Sequence, residues 1–180
     1  MSTAWRLGPG LVEEPIDAAA FAAEVDRLLD EVTTARSQPA RLLAMLTAVT
    51  PLLRIAGRLD ESRKTAAAAI ALAELVEDST AAFTNRIALA QVMHREGRYE
   101  IATPLFDQLI AQAKSSPGLS DFLHDILFHA GVNLFSQGRY AEAARSLRES
   151  QALRRAESRD DLLELSAEAL RQNAARASAR

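Results

Sequence analysis

Residues 93–102 read MHREGRYEIA, and residues 134–143 read LFSQGRYAEA. Both stretches carry an apolar residue four positions before a glycine, a tyrosine two positions after it and an alanine five positions after it. Residues 53–62, LRIAGRLDES, repeat this pattern with leucine in place of tyrosine and serine in place of alanine. The repeated glycines are Gly57, Gly97 and Gly138, which are 40 and 41 residues apart. The chain therefore contains an internal repeat.

Each repeated glycine predicts the turn of a helical hairpin. Glycine adopts the left-handed backbone that ends a helix without steric cost. A small residue lies seven positions before each glycine and another lies five positions after it: Thr50, Ala90 and Gly131, then Ser62, Ala102 and Ala143. Small residues at both places let the two helices of a hairpin pack closely.

The rest of the chain extends this pattern to an all-α fold. Apolar residues recur at intervals of three and four, as on one face of a helix. The predicted organisation is a flexible tail over 1–14 and one helical repeat domain over 15–177. Within that domain, a first helix begins at Pro15 and ends near Ser37, hairpins cover about 39–77, 79–114 and 119–157, and a capping helix covers about 160–177.

Composition narrows the class of protein. Alanine supplies 36 of the 180 residues, which favours helices that approach closely and argues against a sheet protein. The net charge is −3 and no long run of one sign occurs, so we expect neither nucleic acid nor an anionic membrane as a partner. The absence of cysteine excludes disulfides and thiolate metal sites. With no apolar leader or membrane-spanning stretch in the sequence, we expect a cytoplasmic protein.

The pattern Gly-Arg-Tyr-x-x-Ala, with its preceding small and apolar residues, resembles the tetratricopeptide repeat (TPR) from about Leu43 to Gln172. Its period of 40 to 41 residues is similar to the longer-period branch typified by kinesin light chain repeats and bacterial regulators. This resemblance implies a right-handed α-α superhelix of about three hairpins, flanked by N-terminal and C-terminal helices.

The resemblance also implies where a partner would bind. In the family, the first helix of each hairpin lines a concave groove through residues ten, nine, six and three positions before the glycine. The positions carried over as partner contacts are Thr47, Arg54, Ile87, Gln91, His94, Phe128, His129, Val132 and Phe135. A clamp for a peptide carboxylate is not expected, because Arg54 is the one cation among the groove positions. Phe128 and Phe135 lie seven residues apart on one helix face and either pack on a neighbouring helix or line an accessible groove.

No residue pattern indicates catalysis, a metal or a cofactor. The histidines are His94, His124 and His129, and no catalytic motif surrounds them. His124 and His129 are five residues apart, whereas two imidazoles that share a metal from one helix are four apart. We therefore expect no enzyme activity and no cofactor.

The first helix leaves two interpretations open. Its apolar stripe, which includes Phe21, Val25, Leu28 and Leu29, is too apolar to be left in water. Packing on the second and third helices would cover it, and so would a two-fold homodimer through this helix.

The function predicted from the sequence is a protein or peptide interaction module, an adapter that binds a partner segment on its concave face. One alternative is a peptide or small-ligand sensor subunit of a bacterial regulatory system. A second alternative is a structural homo-oligomer.

Overall fold

A computed structural model describes residues 3–179 and confirms the all-α prediction, because 81% of the chain is helical. The α-helices of the described part are α1 (Ala18–Thr34), α2 (Pro39–Ile55), α3 (Leu59–Leu75), α4 (Ser79–Arg95), α5 (Tyr99–Ser115), α6 (Leu123–Ser136), α7 (Tyr140–Ala156) and α8 (Asp160–Ser178). A 3-10 helix, Pro117–Phe122, precedes α6. None of the helices in residues 3–179 is both long enough and apolar enough to cross a membrane.

The repeated glycines end helices as predicted. Gly57, Gly97 and Gly138 have φ angles of 77°, 74° and 74°, in the left-handed region. After Gly57, the N–H of Arg58 donates to the carbonyl of Leu53 at 2.9 Å and so satisfies one of the carbonyls at the end of α2. A residue other than glycine ends α3 and α7, where Glu77 and Ser158 adopt φ angles of 59° and 56°.

Replacing Gly97 by valine is expected to lower the free energy of unfolding by more than about 1 kcal/mol, because a β-branched residue resists positive φ. A side chain at Gly97 would meet nothing within 4 Å, so the cost would come from the backbone alone. Gly118→Val is the matched control, since that glycine also faces open space and does not have a positive φ. Urea denaturation would measure both variants, and equal midpoints would contradict the assignment of the turn.

Small residues bring successive helices together within the hairpins. The Ser62 hydroxyl donates to the carbonyl of Thr50 at 2.7 Å, and both residues are fully buried between α2 and α3. At the matching place between α6 and α7, a Cβ built on Gly131 would lie 2.7 Å from Cγ of Leu147. In these two hairpins the small residues of the sequence pattern lie where the helices pack closely, as predicted.

The chain divides into two compact units. The single helical repeat domain over 15–177 stays a prediction. Of the described residues, the first unit comprises 3–6 and 13–97, and the second comprises 7–12 and 98–179. The predicted hairpin at 79–114 thus has its helices in different units, since α4 belongs to the first unit and α5 to the second.

In the first unit, α3 packs against both α2 and α4, and α1 packs against α2. Alanines on α3 form much of the contact surface, and Ala66, Ala69 and Ala73 are fully buried. In the second unit, α6 packs against α5 and α7, and α7 packs against α8. The core of that unit includes Phe128, Leu147 and Ala169.

Residues near the N-terminus contain regular structure where the sequence predicts a flexible tail through Glu14. Residues Trp5–Leu7 form strand β1 and pair with Glu13–Pro15, strand β2, in a two-stranded sheet. A 3-10 turn, Pro9–Leu11, lies between the strands. Met1 and Ser2, the start of the predicted tail, lie outside the described residues.

Candidate functional site

The second unit holds a tight turn of the chain, Gly8–Val12, which we call the Leu11 turn. The N–H of Gly8 donates to the carbonyl of Val12 at 2.7 Å and closes the turn. Gly10 and Leu11 both adopt positive φ, 75° and 60°. Leucine rarely takes this conformation, so its surroundings must hold it there.

The Leu11 side chain is buried in an apolar cluster formed by residues of α6, α7 and α8. It is 3% exposed and belongs to one buried cluster with Phe128, Val132, Phe135 and Ala169. Leu7 packs against the same cluster and is half-buried. We call the surface formed by Phe128, Val132, Phe135, Ala169 and Gln172 the leucine pocket.

Gln172 holds the backbone of the Leu11 turn. Its Oε1 accepts from the N–H of Gly10 at 3.0 Å and from the N–H of Leu11 at 3.3 Å, and its Nε2 donates to the carbonyl of Gly8 at 3.2 Å. Nε2 also donates to Glu168 Oε1 at 2.8 Å, which fixes the orientation of the amide. Because these contacts reach only main-chain atoms of the turn, Gln172 recognises a backbone shape rather than a sequence.

The Glu168 carboxylate, one turn before Gln172 on α8, accepts the hydrogen bond that orients the Gln172 amide. Hydrogen bonds from Gln172 and Arg171 hold the pKa of Glu168 below its usual value. Arg171 donates to the same carboxylate through Nε at 3.0 Å. Glu168 therefore stays charged at neutral pH and remains an acceptor for Gln172.

The energetics of the Leu11 turn are finely balanced. Burying a leucine side chain contributes about 1.5 to 3 kcal/mol, and each hydrogen bond between Gln172 and the turn contributes on the order of 1 kcal/mol. A non-glycine residue at positive φ costs on the order of 1 to 3 kcal/mol. The side-chain burial is largely offset by backbone strain, so these terms leave only a few kcal/mol to hold the turn in the pocket.

The structure brings three of the predicted partner-contact residues into the leucine pocket. Phe128, Val132 and Phe135 are 2%, 4% and 6% exposed. The sequence left open whether the two phenylalanines pack internally or line a groove. In the second unit they lie in one buried cluster with Leu11 of the turn, Leu147 of α7 and Ala169 of α8. His129 lies beside this face, with its ring edge-to-face with Phe128 at a centroid distance of 5.3 Å.

A charged cluster lies next to the leucine pocket on α6 and α7. The guanidinium of Arg154 sits 4.5 Å above the ring of Phe128 and 3.7 Å from Asp125 Oδ1, and Asp125 Oδ1 lies 3.5 Å from Nε2 of His129. Burial would raise the pKa of Asp125, but His129 and Arg154 outweigh it and lower the pKa to about 2. The Asp125 carboxylate is therefore charged and holds the Arg154 guanidinium and the His129 ring beside α6.

His124 is a buried structural histidine. It is 5% exposed, and Arg159 Nη1 lies 3.2 Å from its Nε2. Burial lowers the pKa of His124 below its usual 6.5, and Arg154 and Arg159 add to the lowering against the opposing carboxylates of Asp125 and Glu157. The imidazole is thus neutral at pH 7.

This neutral histidine predicts a loss of stability in mild acid. As the pH falls below 6.5, the unfolded chain takes up a proton at His124 that the native state resists, so the free energy of unfolding decreases. Urea denaturation at pH 7 and pH 5 would measure the effect. His124→Gln should show a smaller decrease than the unmodified chain, and an equal decrease in both would contradict the assignment.

The other predicted partner-contact residues lie in the first unit. Ile87 and Gln91 are 4% and 7% exposed, whereas His94 is half-buried. Thr47 Oγ1 accepts a hydrogen bond from Asn85 Nδ2 at 2.8 Å. Arg54 is 4% exposed and forms a bidentate ion pair with Glu13 of β2. The cation of the predicted groove thus already has a carboxylate from the N-terminal strands.

The apolar stripe of α1 is covered within the first unit. Phe21 and Val25 are fully buried with Val49 and Leu53 of α2. Leu28, Leu29 and Trp5 pack against the same cluster. The packing interpretation accounts for this face, and a homodimer through α1 remains a prediction.

The second unit also has an open cleft between α7 and α8, with a volume of about 770 Å³. Small side chains form much of its wall, and cations flank it: Ala141, Ala144, Ala167, Ala174, Ala177, Arg145, Arg148 and Arg171. It is a separate surface from the leucine pocket, although both use α8.

Sequence reasoning missed Leu11, Glu13 and Gln172. The first two lay in a presumed tail, and Gln172 lies near the end of a helix interpreted only as a cap. The alternation of apolar Trp5, charged Arg6 and apolar Leu7 is a weak strand signal in the sequence. In the structure Trp5 and Leu7 are half-buried and Arg6 is exposed.

Within the described residues, no group of three or more histidine, cysteine, aspartate or glutamate side chains could hold a metal ion. Neither a scan against protein-family models nor a search of curated proteins finds a match to this chain. The relation to the tetratricopeptide repeat therefore rests on the residues quoted above.

Proposed function

We propose that the chain is a TPR-like binding module whose leucine pocket takes a short peptide segment of a partner protein. The observation that supports this most is the Leu11 turn. An apolar pocket holds one side chain of this segment, and the Gln172 side-chain amide forms hydrogen bonds with its main chain. Peptide-recognition sites generally combine main-chain hydrogen bonds for affinity with pockets for specificity.

The proposal includes the finer architecture that the repeat pattern implies, a right-handed superhelix of hairpins that acts as an adapter in the cytoplasm. The packing of successive helices is consistent with repeats of this kind. Helical repeats suit this role because each hairpin adds surface without needing a separate core.

Selection from a random peptide library would test the function. The bait would be the unmodified chain and, in parallel, Leu11→Asp, in which the pocket loses its own leucine. Selected peptides should bind at least about tenfold more weakly to Gln172→Ala, since main-chain hydrogen bonds are lost. Gln108→Ala, an exposed glutamine on α5 of the same unit, is the matched control and should bind unchanged. If neither bait selects peptides that depend on Gln172, the proposed function is wrong.

A further inference from the structure

The Leu11 turn indicates what chemistry the leucine pocket accepts. Leu7 and Leu11, four residues apart, both pack on the cluster that contains Phe128, Val132 and Phe135. Between them, the backbone turns through Gly8, Pro9 and Gly10 and presents two N–H groups and one carbonyl to Gln172. Residues 8–12 contain no charged side chain, so the turn is held by apolar contacts and by hydrogen bonds to its main chain.

We propose that the Leu11 turn occupies the binding site of the partner, and that a partner segment with the same chemistry displaces it. That segment would carry two leucine-like side chains about four residues apart, joined by a glycine-containing turn that can adopt positive φ. This inference rests on the proposed function and adds both the class of ligand and a self-inhibited resting state.

Two features of the turn determine how readily a partner displaces it. Leu11 itself carries a positive φ of 60°, so the resident segment fits with backbone strain that a partner presenting its leucine side chain from an ordinary negative φ would not have. The resident segment is also tethered, which gives it a high effective concentration at the pocket. A partner therefore binds only when it is abundant or fits better, and the tethered turn sets that threshold.

A peptide of residues 6–13, RLGPGLVE, labelled with fluorescein, tests the inference by fluorescence anisotropy. The Leu11→Asp chain should bind it at least about tenfold more tightly than the unmodified chain, whose own turn competes. Adding Gln172→Ala to Leu11→Asp should weaken binding by about tenfold or more, whereas adding Gln108→Ala should not. A peptide with aspartate in place of its second leucine should not bind.

Equal affinity of the peptide for the unmodified and Leu11→Asp chains would overturn the inference, as would binding that ignores Gln172. If library peptides bind through Gln172 but this peptide does not, the inference fails while the proposed function stands. If no peptide binds, both fail.

A second measurement covers the case in which Leu11→Asp does not fold. The unmodified chain, labelled with ¹⁵N, would be titrated with the unlabelled peptide. The amide resonances of Gly10 and Leu11 should move toward the positions of a free segment as the turn is displaced. Resonances that stay fixed at millimolar peptide would overturn the inference.

Discussion

Replacing Arg154 by alanine is expected to lower the free energy of unfolding by about 3 kcal/mol. Arg154 is 1% exposed, although it carries a full charge. Its Nη1 donates to Ser166 Oγ at 2.8 Å, and its guanidinium stacks on Phe128. Alanine would leave a cavity and remove the Arg154 guanidinium from the Asp125 carboxylate. It would also remove the donor to the Ser166 hydroxyl, which would keep its own hydrogen bond to the Leu162 carbonyl.

The neighbouring Arg155 supplies the control for this prediction. Arg155 is exposed, so Arg155→Ala should change the free energy of unfolding by less than about 0.5 kcal/mol. Arg154→Met retains most of the side-chain volume and should recover part of the loss. Urea denaturation followed by circular dichroism measures all three. A loss of less than about 1 kcal/mol for Arg154→Ala would show that the cluster contributes little.

Replacing Gly131 by valine is expected to cost about 3 kcal/mol, because the contact between α6 and α7 has no room for a side chain. A Cβ at this position would lie 2.7 Å from Leu147 Cγ, 2.9 Å from Leu147 Cδ2 and 3.3 Å from the Ala143 carbonyl. The backbone carbonyl cannot move without shifting α7, so the helices would have to separate. Phe128, Val132 and Phe135 lie on the same helix, and the shift would disturb the leucine pocket as well.

A double-mutant cycle with Leu147→Ala isolates this contact. Gly131→Val should cost at least about 1 kcal/mol less in the Leu147→Ala background, where the colliding side chain is absent. Additive costs in the two backgrounds would mean that the loss comes from the backbone rather than from the collision.

The repeat could be predicted from the sequence because the residues that indicate it are close together in the chain. Gly57, Gly97 and Gly138 mark left-handed helix ends, and Gly131 marks a close approach, each through a requirement that few other residues meet. The bounds of α2 to α8 followed from these positions together with the apolar periodicity, except that the 3-10 helix Pro117–Phe122 occupies the predicted start of α6.

Only part of the leucine pocket could be predicted from the sequence. The helix faces that carry Phe128, Val132 and Phe135 were identified, but their occupant was not, because a contact between Leu11 and Gln172 spans 161 residues and leaves no local pattern. Gly8, Pro9 and Gly10 look like a loop in isolation. Contacts with α8, which is distant in the sequence, order these residues, and the local composition does not indicate those contacts.

The most direct test of the account maps where a bound peptide contacts the chain. A library-selected peptide would be titrated into the ¹⁵N-labelled Leu11→Asp chain, and amide shifts would be recorded for every assigned residue. The account predicts that the largest shifts fall on Phe128, Val132, Phe135, Ala169 and Gln172, and that the Gln172→Ala variant needs at least about tenfold more peptide to reach them. Shifts confined to the cleft between α7 and α8, or to the first unit, with the leucine pocket unchanged, would contradict it.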